Sequence, residues 1–145
     1  MEKIFKGRVV VPGTVTLKAL VSHGGFNTLA SYKDCKEGYN VCTDQNNADL
    51  YGKSTVGIAL CLPQTIGSTT GGMVLFNSAV TKCNPSALLF SKPIDSLAAA
   101  GAILASVWTP NNMPTVDNLG DEFLNYVKDG MTITIMDNGE VKVED

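Results

Sequence analysis

This chain is short of metal ligands. It has one histidine, His23, and four cysteines, Cys35, Cys42, Cys61 and Cys83, with no CxxC pair among them. Structural zinc and iron–sulfur sites draw on clustered thiolates and imidazoles, so the chain is expected to bind no metal by itself. Charge is sparse too: 17% of residues are Asp, Glu, Lys or Arg, the net charge is −3, and the basic residues form no stripe. Nucleic acids and anionic lipid surfaces are met by clustered Lys and Arg, so neither a nucleic acid nor a membrane is an expected partner. No apolar run is long enough to span a bilayer, and the start Met1-Glu2-Lys3-Ile4 lacks the apolar core of a signal peptide. A cytoplasmic location is expected. Cys61 and Cys83 stand among apolar residues and read as buried small hydrophobes. Cys35 and Cys42 lie in a polar stretch and read as exposed thiols, for which a disulfide is disfavoured in the cytoplasm.

What the chain does have is enough apolar residue for a core: 145 residues, 44% of them hydrophobic, expected as one domain over 1–145. Residues 5–11 read as a strand stopped by Pro12-Gly13, and Val15 to Val21 alternates as a second, which suggests a hairpin. A long polar stretch from His23 to Ser54 follows, and loops of that length inside compact domains are usually functional or mobile. The apolar runs 56–62 and 87–90 read as buried strands. Helices are expected over 70–82, over 95–105 from an opening at Pro93-Ile94-Asp95, and over 118–129 with Gly130 as its stop. Residues 107–109 read as a brief strand. Asp137-Asn138-Gly139 between 131–136 and 140–143 predicts a hairpin with positive φ at Asn and Gly. The fold class is therefore α/β and β-rich, with strands at both ends and strand–helix units between.

The most informative segment is Gly67-Ser68-Thr69-Thr70-Gly71-Gly72, set between an apolar strand and an apolar helix. Glycines permit a tight turn, hydroxyls can cap a helix, and the free N–H groups of a helix start attract anions. Ser68 is thus either a cap or a catalyst; the residue pattern alone leaves both open.

The order of several motifs resembles the small subunit of the aconitase X family. They are Lys6-Gly7-Arg8-Val9-Val10-Val11-Pro12-Gly13, Ala19-Leu20-Val21-Ser22, Gly52-Lys53-Ser54, Leu62-Pro63, the Gly67 to Gly71 run, the Ala-rich 98–105 segment and Met113-Pro114-Thr115-Val116. The resemblance implies a swivelling β/β/α domain like the mobile domain of aconitase, working with a separate large subunit. That large subunit would hold an iron–sulfur cluster or iron, with none bound by this chain alone. The implied reaction is dehydration of a small anionic or zwitterionic substrate, either cis-3-hydroxy-L-proline or phosphomevalonate, by an enzyme active only when both chains are present. By family position Ser68 is the catalytic base, its alkoxide stabilised by helix-terminal N–H donors and a nearby cation. Gly67, Thr69, Thr70, Gly71 and Asp44 would bind substrate or fix the loop.

Two departures from the family pattern stand out. Where many members carry Gly-Arg before the serine loop, this chain has Thr65-Ile66, and an Ile cannot hold an anion. The family's Asp-Arg-x-His-Pro element survives only as Asp44-Gln45-Asn46-Asn47. The Asn-rich, weakly charged composition favours the hydroxyproline reaction over phosphomevalonate. A swivelling carrier domain is disfavoured because no histidine neighbours the loop, while a non-catalytic swivelling interaction module is a further alternative. His23 reads as incidental and Lys53 as a solvated turn lysine. Lys92 and Asp95 read as capping residues, and Trp108 as core or subunit interface.

Overall fold

The computed structural model describes residues 2–33, 35–66, 71–109 and 113–144. Its centre is four parallel strands, β3 (Val15–Val21), β5 (Ala59–Leu62), β7 (Ala87–Phe90) and β8 (Thr115–Asp117). Antiparallel strands extend the sheet on both sides. β2 (Arg8–Val11) lies outside β8; β9 (Thr132–Ile135), β10 (Glu140–Glu144) and β1 (Glu2–Lys6) lie beyond β3. A two-stranded parallel pair, β4 (Phe26–Asn27) and β6 (Thr65–Ile66), stands apart. The described helices are α1 (Thr28–Ser31), α2 (Gly71–Val80), α3 (Ser96–Trp108) and α4 (Asp121–Tyr126).

The two-residue period of a strand explains why β5 and β7 are apolar throughout. Leu60, Leu62, Leu88 and Phe90 meet Leu75 and Ala79 of α2 and Ala102 and Ala105 of α3 on one face. Ala59, Cys61, Ala87 and Leu89 meet Phe123 and Leu124 of α4, Phe5 of β1 and Val141 of β10 on the other. Strands covered on both faces have no solvated side for polar residues. On α3 the buried stripe is Ala98, Gly101, Ala102 and Ala105, the i, i+3, i+4, i+7 pattern of one helical face. These small side chains let the helix lie close to α2. Asp95 caps it, its Oδ2 accepting from Ala98 N at 2.9 Å.

Several expectations are corrected by the structure. The stretch 5–11 is two strands, because Gly7 lets the chain leave the β10 edge and join β8. A Cβ at Gly7 would fall 2.3 Å from the Asp117 carbonyl oxygen, so only glycine fits the crossing. Pro12-Gly13 makes no hairpin: β2 pairs with β8, while β3 pairs with β9 and β5. Val107 and Trp108 end α3 rather than forming a strand, and 115–117 is the strand β8. The last helix is shorter than expected and stops at Tyr126, so Gly130 is a turn residue whose N–H donates to Ala19 O. The hairpin at 137–139 forms, yet only Gly139 has positive φ. Asn138 instead uses its Oδ1 to accept from Glu140 N at 3.0 Å, as suits a longer loop with one left-handed residue.

The cysteine pairing also differs. Cys35 and Cys83 form a disulfide across 48 residues, which ties the 23–54 stretch to the chain just beyond α2. Cys83 is therefore no free hydrophobe and Cys35 no free thiol, while Cys42 is buried rather than exposed. Pairing of four cysteines has three solutions, and spacing does not choose among them. The 23–54 stretch is itself packed, with Phe26, Tyr32, Cys42 and Leu50 entering the same core as α2 and α3. Its apolar residues are too widely spaced to show a period.

Candidate active site at the carboxyl edge of the parallel strands

All four parallel strands point their carboxyl ends to one edge of the sheet, where α/β folds commonly bind ligands. From that edge the chain continues as Ser22 after β3, Pro63 after β5, Ser91 after β7 and Asn118 after β8. The Gly24-Gly25 turn lies against β6: Phe26 pairs with Thr65 and Asn27 with Ile66, and Phe26 N donates to Gln64 O at 2.8 Å. A Cβ at Gly25 would sit 2.6 Å from Ile66 Cγ2, so glycine is required for the two segments to approach. Thr65 Oγ1 donates to Asp95 Oδ1. One carboxylate therefore caps α3 and anchors the strand that leads to the serine loop.

Gly67, Ser68, Thr69 and Thr70 lie outside the described residues. Their flanks are placed: Ile66 ends β6, half of it exposed at 49%, and Gly71 opens α2. Asp44 is buried, and its described partners belong to its own loop. Its Oδ1 accepts from Asn46 N at 3.0 Å, and its backbone O accepts from Asn47 N at 3.1 Å. It borders a recess of about 320 Å³ with Ala30, Lys33 and Thr43. Asn47, at the family's departed position, is a structural residue here. Its Nδ2 donates to Ser22 Oγ at 3.0 Å, and its Oδ1 accepts from Leu50 N at 3.2 Å. Ser22 Oγ in turn donates to Gly24 O at 2.8 Å. A buried chain of bonds thus runs from the polar stretch to the turn beside β6.

His23 is exposed and its backbone N–H donates to Asp49 Oδ2 at 2.7 Å. Lys53 pairs with Asp129 at 2.9 Å rather than pointing free into solvent. Sequence reasoning missed a second recess, of about 430 Å³, beside α2. It is lined by Tyr32, Lys33, Cys35, Met73, Asn77 and Ser78 among others. Burial pushes the Tyr32 hydroxyl well above its ordinary pKa, so it stays protonated beside Thr55 and Ser78. No local pattern could have found this recess, because its walls come from α2 and from the chain just after α1, which the Cys35–Cys83 bond ties together.

The described thiols do not fit an iron–sulfur cluster. Two are joined to each other, and Cys42 and Cys61 are buried apart from any group of three His, Cys, Asp or Glu among the described residues. Burial also pushes the Cys61 thiol far up, whereas cluster ligation needs a thiolate. No reaction step is therefore assigned through such a group on this chain.

Residues 4–143 match the family model of the aconitase X swivel domain. The chain belongs to the aconitase X swivel-domain family. A phosphomevalonate dehydratase small subunit from Methanocella arvoryzae is 30% identical over 130 residues, covering 90% of each chain. Another of that name, from Methanosarcina mazei, is 29% identical and covers 90% of this chain and 83% of its own. The aconitase X of Thermococcus kodakaraensis, solved in a holo form, superposes with a TM-score of 0.84 at 26% identity over 99% of both chains. The α/β, strand-rich architecture expected of the family is the one observed. Of the two expected substrates, the names of these relatives favour phosphomevalonate over hydroxyproline. Composition reflects the temperature at which a protein works, and that says nothing about which hydroxy acid it meets. Among the described residues, no helix is long and apolar enough to cross a membrane.

Proposed function

We propose that this chain is the small subunit of a two-chain aconitase X-type dehydratase acting on phosphomevalonate, inactive without its large subunit. The observation that carries the reading is the near full-length match to small subunits of that name. The fold supports it, because β6 and α2 bring the two flanks of the serine loop to the carboxyl edge of the sheet.

Dehydration removes a proton from one carbon and a hydroxyl from its neighbour. In our reading Ser68 takes the proton, and Thr69, Thr70 and the backbone N–H groups at Gly71 hold an anionic group of the substrate. The aligned dipoles of a ten-residue helix with no acidic side chain in its first turn favour negative charge at that end. The iron–sulfur cluster or iron would belong to the large subunit, where it supplies Lewis-acid assistance to the departing hydroxyl. Asp44 shapes the neighbouring loop through its bonds to Asn46 and Asn47 and touches substrate only indirectly. Ile66 brings no charge, so the cation that balances a phosphate comes from the partner chain. The location we assign is cytoplasmic; the Cys35–Cys83 bond, of a kind rare in that compartment, is the observation that stands against it.

The test is co-expression with an aconitase X large subunit from the same organism, then assay of phosphomevalonate and cis-3-hydroxy-L-proline. Phosphomevalonate should be dehydrated, and Ser68→Ala should lower kcat by 100-fold or more, on the order expected for losing a positioned base, while the two chains still associate. Full activity of Ser68→Ala would remove Ser68 as the base. Turnover of hydroxyproline alone would reverse the substrate assignment, and a stable pair with neither activity would make this an interaction module.

A further inference from the structure

We infer that the outer face of α3, with the adjoining edge of α2, is the surface on which the large subunit docks. The inference rests on the two-chain reading above.

Neither helix carries a charged residue. α2 reads Gly-Gly-Met-Val-Leu-Phe-Asn-Ser-Ala-Val, and α3 reads Ser-Leu-Ala-Ala-Ala-Gly-Ala-Ile-Leu-Ala-Ser-Val-Trp. A helix on the surface of a free-standing domain normally sets a polar face to water, and one that is apolar all round is buried. Here Ala98, Gly101, Ala102 and Ala105 form the buried side of α3, packed toward α2 and the sheet. The other side presents Leu97, Ile103, Val107 and Trp108 to solvent, with Val107 67% and Trp108 71% exposed. Met73 of α2 is exposed as well. Single exposed apolar residues need no explanation, but a stripe of them along a charge-free helix marks an interaction surface. Trp108 is held in place rather than loose: its ring meets Phe76 of α2 edge-to-face at 6.1 Å. An aromatic side chain fixed in that way is the usual anchor of an interface.

Position selects the occupant. The stripe starts at Leu97, two residues past Asp95, which binds both the α3 start and Thr65 of β6. Ile66 and Met73, both exposed, stand on either side of the serine loop. The apolar surface is thus continuous with the edge at which, in our reading, the large subunit must deliver its metal to substrate. A second copy of this chain seated here would cover that edge and shut the metal-bearing chain out. A large subunit seated here covers the stripe and completes the site in one contact.

The experiment uses the co-expressed pair and measures affinity and turnover separately. Val107→Glu changes a side chain that is two-thirds exposed, so the isolated chain should keep its circular dichroism and melting temperature. Its Kd for the large subunit should rise by 10-fold or more, as for a charge placed in an interface centre. At saturating concentration kcat should be unchanged. Asn125→Glu, exposed on α4, whose Phe123 and Leu124 pack on the opposite face of the sheet, should leave Kd as it was. Unchanged affinity of Val107→Glu, or an equal loss with Asn125→Glu, would overturn the inference. So would a self-association of the isolated chain that Val107→Glu abolishes while large-subunit binding persists. A pair that binds normally yet dehydrates nothing would instead overturn the functional reading and leave the surface standing.

Discussion

Cys61 sits in the middle of β5 with no exposed surface, and burial, helped by the charge of Asp129, raises its thiol pKa far above the ordinary value. An acid held more tightly by the folded chain costs stability once the unfolded chain begins to lose that proton. Below about pH 8.5 both states keep it and Cys61 contributes nothing. Above that, the unfolded state gains, and stability should fall by up to about 1.4 kcal/mol per pH unit for this one group. Tyr32, raised in the same direction by burial, adds to the fall above about pH 10. Urea denaturation at a series of alkaline pH values should therefore show a steep decline. Cys61→Ala should be less stable at neutral pH, for the lost packing, but should lose stability more slowly as pH rises. An identical slope in both proteins would mean that the thiol is not what the folded chain protects.

At the scale of elements, what could be read from sequence was whatever one element carries by itself. The apolar run of β7, the alternation of β3 and the Asp-Asn-Gly turn are local signals, and each forms where expected; the 56–62 run forms a strand only over its last four residues, after a turn at Gly57. The Ala-rich α3 was legible for the same reason, although it continues to Trp108 because its end is set by Thr109 N bonding to Ala105 O rather than by a breaker. What was hidden depends on distant partners. Gly7 breaks a strand only because Asp117 lies 110 residues away, and the polar stretch is ordered by Asn47, Ser22 and the Cys35–Cys83 bond. That bond closes a long loop, so in the chain-entropy view it is worth about 4 kcal/mol. Cys83→Ser, or reduction with dithiothreitol, should lower Tm by roughly 10 °C. The loss should fall first on residues 23–54, seen as faster amide exchange there than in β5 or β7. Unchanged Tm would show that packing of Phe26 and Leu50 alone holds the stretch.

For the whole molecule, the sequence carried the serine loop and its order among other motifs, but not the distribution of charge over the fold. Lys3 with Glu122, and Lys142 with Glu2 and Glu144, lie on the β1–β10 side of the sheet, whereas α2 and α3 offer no charge at all. Charges absent from a linear stretch look like weak composition; set side by side on two adjacent helices they become a surface. If the large subunit docks there, apolar burial around Trp108 drives association and counterions have little to screen. The Kd of the pair should then change less than about 3-fold between 50 mM and 500 mM NaCl, where pairs steered by charge weaken steeply. The heat-capacity change of binding should be clearly negative, which marks apolar burial. Strong weakening by salt, with a heat-capacity change near zero, would place the contact on the charged side of the sheet and leave α3 exposed in the complex.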